Sequence, residues 1–388
     1  MKYDLPDDVK RSIRKMSDEI HANPELGFQE FTAARLQTEL LEQWGAQVTR
    51  GIAGLDTAYR AEWRLGTGDG PAFAIFSEYD ALKKIGHACG HNLICASALA
   101  GAYMAVDALE KAGVNGRFVL FGSPGEEQLG GKVVMQEHGA FEGIDAAIIS
   151  HPYDVTSTDD GAYSVTRFLV QFHGKASHAG MAPEQGINAL DALILFFNGI
   201  GLWRQQMAES ARVHGIIRKG GDAPNVIPDE TEAFFYLRAP DTNTAVELER
   251  RFREIVAGAA TQTGCTCDCI RTTAYDPCKI NAPLNNAYAD YLESIGHKVI
   301  RAKGNEGRAS TDFGNVSQIM PGANLHFGIC HEEHGTALHT VDFEKAAGMD
   351  HGFGEAMICG GAMAHITLRY FTDDAFRNEV HQAFDEQK

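Results

Sequence analysis

Short apolar runs closed by small or polar residues set the pattern of this chain. Phe73-Ala74-Ile75-Phe76, Phe118-Val119-Leu120-Phe121 and Ala146-Ala147-Ile148-Ile149 are short, uniformly apolar and bounded by turn residues, and so read as buried strands. Helical patterns lie between them. Gly90 to Gly113, rich in Ala and Leu, follows the first run, and a short helix near Gly131 to His138 precedes the third. Upstream, Ile13, Met16 and Ile20, then Leu36, Leu40 and Leu41, recur at helical spacing, with a break at Asn23-Pro24. This β-α-β alternation predicts an α/β domain with a mostly parallel sheet and helices on its faces.

The pattern changes near Val165. Thr166 to His173 alternates like a half-exposed strand, and Asn188 to Gln206 is strongly helical. Val213 to Arg218 and Glu232 to Arg238 read as further strands, and Ala245 to Thr263 as a charged amphipathic helix. This segment is expected to be an inserted α+β sandwich, a lid spanning 166–276. The expected catalytic domain is discontinuous, 1–165 with 277–388. Helix-strand alternation resumes after Pro283 and ends in the Gly/Ala-rich segment Ala346 to Phe371.

Composition narrows the function. A chain of 388 residues fits two domains, and 44% hydrophobic with 22% charged residues is ordinary for a globular protein. A formal charge of −18 argues against nucleic acid or an anionic membrane surface as partner. Met1 to Lys10 lacks the apolar core of a signal peptide, and no run approaches the ~20 apolar residues of a bilayer span. Eight cysteines without a secretory signal suggest reduced thiols and a cytoplasmic location.

Chemistry gathers where the three strands end. The first leads to Asp80 and His87-Ala88-Cys89-Gly90-His91, the second to Glu126-Glu127 and the third to His151. Ligands bind at the carboxyl ends of the strands in an open α/β sheet. Cys89, His91, Glu127 and His151 are a ligand set suited to Zn, Mn or similar ions. Each alone has an ordinary reading as a cap, a core cysteine or a solvated carboxylate; four at neighbouring strand ends do not. Glu127 can bind metal while Glu126 stays free to take a proton from the attacking water. Cys89 precedes a helix whose positive end is expected to lower its pKa.

Candidates elsewhere are less specific. His178, in the small-residue loop Gly174 to Gly180, is placed to stabilise an oxyanion or is simply a surface histidine. Asn225 and Arg238 sit at element ends, where a guanidinium suits a substrate carboxylate or a structural salt bridge. A two-ion site needs a further ligand from His326, His331, His334, His339, His351 or His365, and the residues favour His339 over His334 only weakly. Cys265, Cys267 and Cys269, with Cys278 beyond, offer a second metal or redox site, but core packing is the stronger reading.

Taken in order, several segments carry a resemblance: His21 to Gly27, Ser77 to Leu82, Gly86 to Asn92, Pro124 to Glu127, Gly174 to Ala179, Asn225 to Pro228, Ser310 to Gly314 and His339-Thr340. Together they resemble the aminoacylase and carboxypeptidase family of two-metal metallopeptidases, in its amidohydrolase branch. The likeness covers essentially the whole chain. It implies metal ligation by Cys89, His91, Glu127, His151 and His339, with Glu126 as general base and acid. It also implies two divalent ions per subunit (Zn or Mn, with Co or Ni as alternatives) and a homodimer formed through the inserted domain. His178 would assist the oxyanion, and Asn225 and Arg238 would contact substrate. One departure stands out: Ser310-Thr311-Asp312-Phe313 replaces the Glu-Asp-Phe usual in auxin-conjugate hydrolases, which makes an auxin conjugate a poor candidate substrate. The expected activity is hydrolysis of the amide bond of an N-acyl amino acid, an aminobenzoyl-glutamate-like conjugate or a dipeptide. A catalytically silent binding protein on the same fold is the alternative.

Overall fold

The structure, a computed structural model, describes residues 3–304, 307, 309–330 and 336–387. The chain divides into two compact units. One comprises Met1–Gly161, Cys278–Gly307 and Asp312–Lys388, the other Ala162–Pro277 and Arg308–Thr311.

The first unit is built on a six-stranded sheet. Its strands are β1 (Gln47–Arg50), β2 (Tyr59–Leu65), β3 (Ala72–Ser77), β4 (Gly116–Gly122), β5 (Ala146–Tyr153) and β10 (Gly322–Gly328). The order is β1-β2-β4-β3-β5-β10; β4, β3, β5 and β10 run parallel, and β1 and β2 add an antiparallel edge. Side chains alternate across a strand, so each central strand feeds two cores. Phe73 and Ile75, Phe118 and Leu120, and Ala146 and Ile148 enter one core. Their neighbours Ala74 and Phe76, Val119 and Phe121, and Ala147 and Ile149 enter the other. These strands read as continuous apolar runs because both faces are covered.

Helices α1 (Asp7–Ala22), α2 (Phe31–Gln43), α7 (Ala282–Ser294) and α11 (Asp374–Asp385) contribute to the larger core, which α3 (His91–Ala112) and α10 (Asp350–Thr372) dominate. The last two approach closely at Gly101 and Gly360, where a Cβ on Gly360 would stand 2.8 Å from the Cβ of Ala100. The sequence expectation fails on one point here. Among the described residues α3 is long and apolar enough to cross a membrane, yet 83% of its apolar window is buried in the protein. Helices α4 (Gly131–Glu137) and α8 (Phe313–Ile319) cover the opposite face through Met135, Phe313 and Val316. Nearly all of the expected C-terminal segment, Ala346 to Phe371, is α10, and only Ala346 and Ala347 belong to a preceding short helix, α9 (Val341–Ala347).

The second unit is a four-stranded antiparallel sheet, in the order β7-β8-β6-β9, backed by two helices. Its strands are β6 (Ser164–His173), β7 (Arg212–Lys219), β8 (Glu230–Ala239) and β9 (Thr266–Tyr275). Helix α5 (Ala189–Trp203) starts at Asn188, whose side chain accepts from the Leu190 N–H. Helix α6 (Thr242–Thr263) is capped by Asp241, which accepts from the Thr244 N–H at 2.8 Å, and ends at the left-handed Gly264. Phe168, Phe172, Phe196, Phe235 and Phe252 fill the core between sheet and helices.

Candidate metal centre and active site

Backbone geometry at the ends of β3 and β4 presents the polar side chains. Ser123 N–H donates to the Ser77 carbonyl, continuing the β3–β4 pairing one residue further. The chain then turns at Gly125 (φ 71°), whose N–H donates to Glu30 Oε1 at 2.8 Å, and Glu127 N–H donates to Asp80 Oδ2 at 3.0 Å. Glu126 and Glu127 are thereby pinned by two buried carboxylates from distant parts of the chain. Gly90 adopts φ 73° at the start of α3, and a Cβ there would lie 2.5 Å from Pro152 Cγ. That close approach needs glycine and sets Cys89 and His91 beside the end of β5.

Five of the sequence candidates meet here. Cys89, His91 and His151 offer donor atoms all within 4.8 Å of one another, and so do Cys89, Glu127 and His339. These two groups share the Cys89 sulfur, and a third, Glu78, His91 and Glu126, shares His91 with the first. His151 Nε2 lies 3.8 Å from that sulfur, and Glu127 lies 3.8 Å from His91 Nε2 and 3.6 Å from His339 Nε2. His151 lies within β5 and not beyond it, because the strand continues to Tyr153 in register with His326–Gly328 of β10. His339 has a left-handed backbone (φ 63°), its N–H donates to the Ala88 carbonyl at 2.9 Å, and its ring is half-exposed. A non-glycine residue held in that region is a cost carried most often at functional sites. His326 is instead buried against Ser157 and stacked on Tyr153. His331 and His334 lie outside the described residues.

Electrostatics at the site are dominated by burial and by crowded carboxylates. Burial, with Glu78, Glu127 and Asp312 close by, pushes the Glu126 carboxyl well above its ordinary range. Burial also raises Glu127, to about 7. Burial holds His151 down to about 4, so its ring is neutral and its lone pair available. Burial opposes charge on His91, but Asp80, 3.0 Å from Nδ1, outweighs it and holds the pKa well above the usual histidine value. That same bond directs the Nδ1 proton at Asp80 and turns Nε2 toward the other candidate donors. The expectation for Cys89 is overturned: its thiol is raised well above the ordinary value, not lowered. Burial is the main cause and the Glu127 carboxylate the next.

The residues present fit a divalent metal. His91 Nε2 and Glu78 Oε2 are buried without a hydrogen-bond partner, and such atoms are costly unless something else satisfies them. A cation would also offset the excess of buried carboxylate, and Cys, His and carboxylate are donors of the right softness. Sequence reasoning assigned no part to Glu78, Lys132 or Asp312. Lys132 Nζ bridges Glu78 Oε1 (2.5 Å) and Asp312 Oδ1 (2.6 Å), all three side chains being inaccessible to solvent.

His178, Asn225 and Arg238 belong to the second unit. The His178 ring is exposed, and its Nδ1 accepts from the N–H groups of Gly180 and Met181, both at 3.2 Å. The proton therefore sits on Nε2, leaving an outward-facing donor. Asn225 is exposed, while Arg238 is half-buried and donates to Ser310 Oγ at 2.8 Å. Cys265 is buried and Cys267 and Cys269 are partly buried against this unit's core, and none joins a metal-ligand group among the described residues.

Residues 161–263 match the M20 peptidase dimerisation domain. Over 363 residues the chain is 37% identical to the Xaa-Arg dipeptidase of Mus musculus, covering 88% of this chain and 81% of that one. The chain belongs to the M20 peptidase family. As a member of that family it is a metal-dependent enzyme that hydrolyses amide bonds. It is also 33% identical over 322 residues to one of the polypeptides of the p-aminobenzoyl-glutamate hydrolase of Escherichia coli, spanning 76% of this chain and 65% of that protein. Among solved M20-type folds, a dinuclear metal binding peptidase of Bacillus subtilis superposes with a TM-score of 0.69 at 20% identity, covering 94% and 99% of the two chains.

Proposed function

We propose that the enzyme cleaves the amide bond of a dipeptide or an N-acyl amino acid at a two-ion centre. Cys89 would bridge the ions, with His91 and His151 on one side and Glu127 and His339 on the other. The observation that carries this reading is the pair of donor groups sharing one sulfur, with Glu126 buried against them. A bound ion would supply Lewis acidity at the scissile carbonyl. Glu126 would take the proton of the attacking water and return it to the leaving amine. Its raised affinity for a proton, set by burial and neighbouring carboxylates, suits the carrying half of that cycle. His178 would donate from Nε2 to the developing oxyanion, and Asn225 and Arg238 would hold substrate polar groups. The curated relatives, a dipeptidase and an aminobenzoyl-glutamate hydrolase, support this substrate class.

A homodimer through the second unit is part of the proposal. β7 is an edge strand and exposes Ile216 and Ile217, while α5 exposes Ile194 and Leu202. Unpaired edges and apolar faces of this kind call for a partner. All eight cysteines are free, which supports a reducing, cytoplasmic setting. The test of the catalytic reading is Glu126→Gln. Bound metal should be unchanged while kcat falls by roughly two to four orders of magnitude. Near-normal turnover would remove Glu126 from the chemistry.

A further inference from the structure

Glu78 follows directly on β3 and is wholly buried. One carboxylate oxygen is fully accounted for, since Oε1 receives the Lys132 ammonium at 2.5 Å. The same ammonium is held by Asp312 Oδ1, and Asp312 Oδ2 accepts the Lys132 backbone N–H at 2.9 Å. This arrangement fixes the plane of the Glu78 carboxylate and leaves Oε2 pointing elsewhere. Oε2 is buried without a hydrogen-bond partner. It lies 3.7 Å from His91 Nε2 and 3.9 Å from His151 Nε2.

Those two nitrogens are the atoms already assigned to one ion, with the Cys89 sulfur 3.8 Å from His151 Nε2. Donor atoms about 2.0–2.3 Å from a common tetrahedral ion stand about 3.3–3.7 Å apart. For oxygen and nitrogen donors the figure is about 3.3–3.4 Å, and the two Glu78–histidine separations, 3.7 and 3.9 Å, exceed it by about half an ångström or less, a gap that side-chain rotations close. A carboxylate that served only as counter-ion to Lys132 would have no reason to leave its second oxygen dry and aimed at two imidazoles. Desolvating an oxygen that makes no hydrogen bond is expensive, and a cation shared with the two imidazoles is a partner that the geometry accommodates.

We infer that Glu78 is a fourth protein ligand of the ion held by Cys89, His91 and His151, with the Lys132–Asp312 pair fixing its carboxylate. The inference rests on the two-ion reading above and gives the two sites different characters. The His91/His151 ion would then be held by four protein donors, as in closed structural sites, and the Cys89/Glu127/His339 ion by three, the donor count of catalytic sites. Water and substrate are therefore expected to exchange at the ion beside half-exposed His339.

The experiment uses the full-length enzyme, stripped with a chelator and reloaded with Co(II), in the wild type and in Glu78→Gln. The wild type should take up two ions. In Glu78→Gln one ion should bind at least about tenfold more weakly while the other keeps its affinity, and the visible Co(II) d–d bands should change shape. Loss of an outer hydrogen bond alone also weakens metal binding by about 10–100-fold, so the spectrum is the discriminating readout. Unchanged bands with two normally bound ions would overturn the assignment of Glu78 and leave the two-ion reading standing. A wild type that binds no metal would sink both. Should the variant not fold, a crystal structure of the Zn-loaded wild type decides: Glu78 Oε2 within about 2.3 Å of the ion supports ligation, and a separation beyond about 3 Å overturns it.

Discussion

Replacing Lys132 with Met isolates the energetic core of the site. The methionine fills nearly the same volume, so the change removes charge and hydrogen bonds with little cavity. In the native protein the ammonium is completely buried between Glu78 and Asp312, at 2.5 and 2.6 Å. Removing one partner of a buried ion pair typically costs about 3–5 kcal/mol, because the other charge is stranded. A second route gives the same size. Asp312 is already raised by burial, with Lys132 opposing, so without the lysine it must bind a proton to remain buried. Protonating a carboxyl of ordinary pKa near 4 at pH 7 costs about 3 units, or about 4 kcal/mol. The sign follows from linkage: the variant's Asp312 has a folded pKa above its unfolded one, so stability is present at low pH and lost as pH rises. The penalty should therefore widen by up to about 1.4 kcal/mol per pH unit between pH 5 and 7. Thermal denaturation of the chelated proteins measures it; about 2 °C per kcal/mol gives a Tm lowered by about 8 °C at pH 7. Lys111→Met, which removes an exposed pair with Asp107, serves as the control and should leave Tm unchanged. A Lys132→Met penalty below about 1 kcal/mol, or one that ignores pH, would refute this reasoning.

Two further outcomes follow from the same geometry. Asp80→Asn loses the carboxylate that holds His91 Nδ1–H and accepts from Glu127 N–H, and metal affinity should fall about 10–100-fold on competition titration. Glu30 is raised to about 7, chiefly by burial and then by Asp80. Its ionisation therefore costs stability progressively as pH climbs from 4.5 to 7 and no further above that. Glu30→Gln keeps an acceptor for Gly125 N–H, and in metal-free protein should gain on the wild type across that window, by at most roughly 3 kcal/mol. Urea midpoints at pH 5 and 8 that differ equally for both proteins would contradict it.

Much of the fold is legible because its signals are local. The buried strands β3, β4 and β5 announce themselves as continuous apolar runs, and the helices by spacing and breakers. The expectation omits β2, although Tyr59, Ala61, Trp63 and Leu65 alternate cleanly into the core. It also omits β10, whose apolar stretch is interrupted by Asn324 and His326. Cys89, His91, Glu127 and His151 stand out because a parallel sheet gathers strand ends. The rest depends on distance along the chain. Lys132 meets Glu78 across 54 residues and Asp312 across 180, and Glu30 meets Gly125 across 95. No local pattern encodes such pairings. The Cys89 thiol shows the same limit: the helix start beside it is readable, whereas the burial and carboxylates that raise it are tertiary.

The central claim is that this chain cleaves amides only with ions at the cluster joined by Cys89. Stripping the enzyme and adding back Zn(II) or Co(II), while counting bound ions and following hydrolysis of a dipeptide, tests it most directly. Turnover should be absent at zero ions and complete as occupancy approaches two per chain. Full hydrolysis by the ion-free protein would contradict the account.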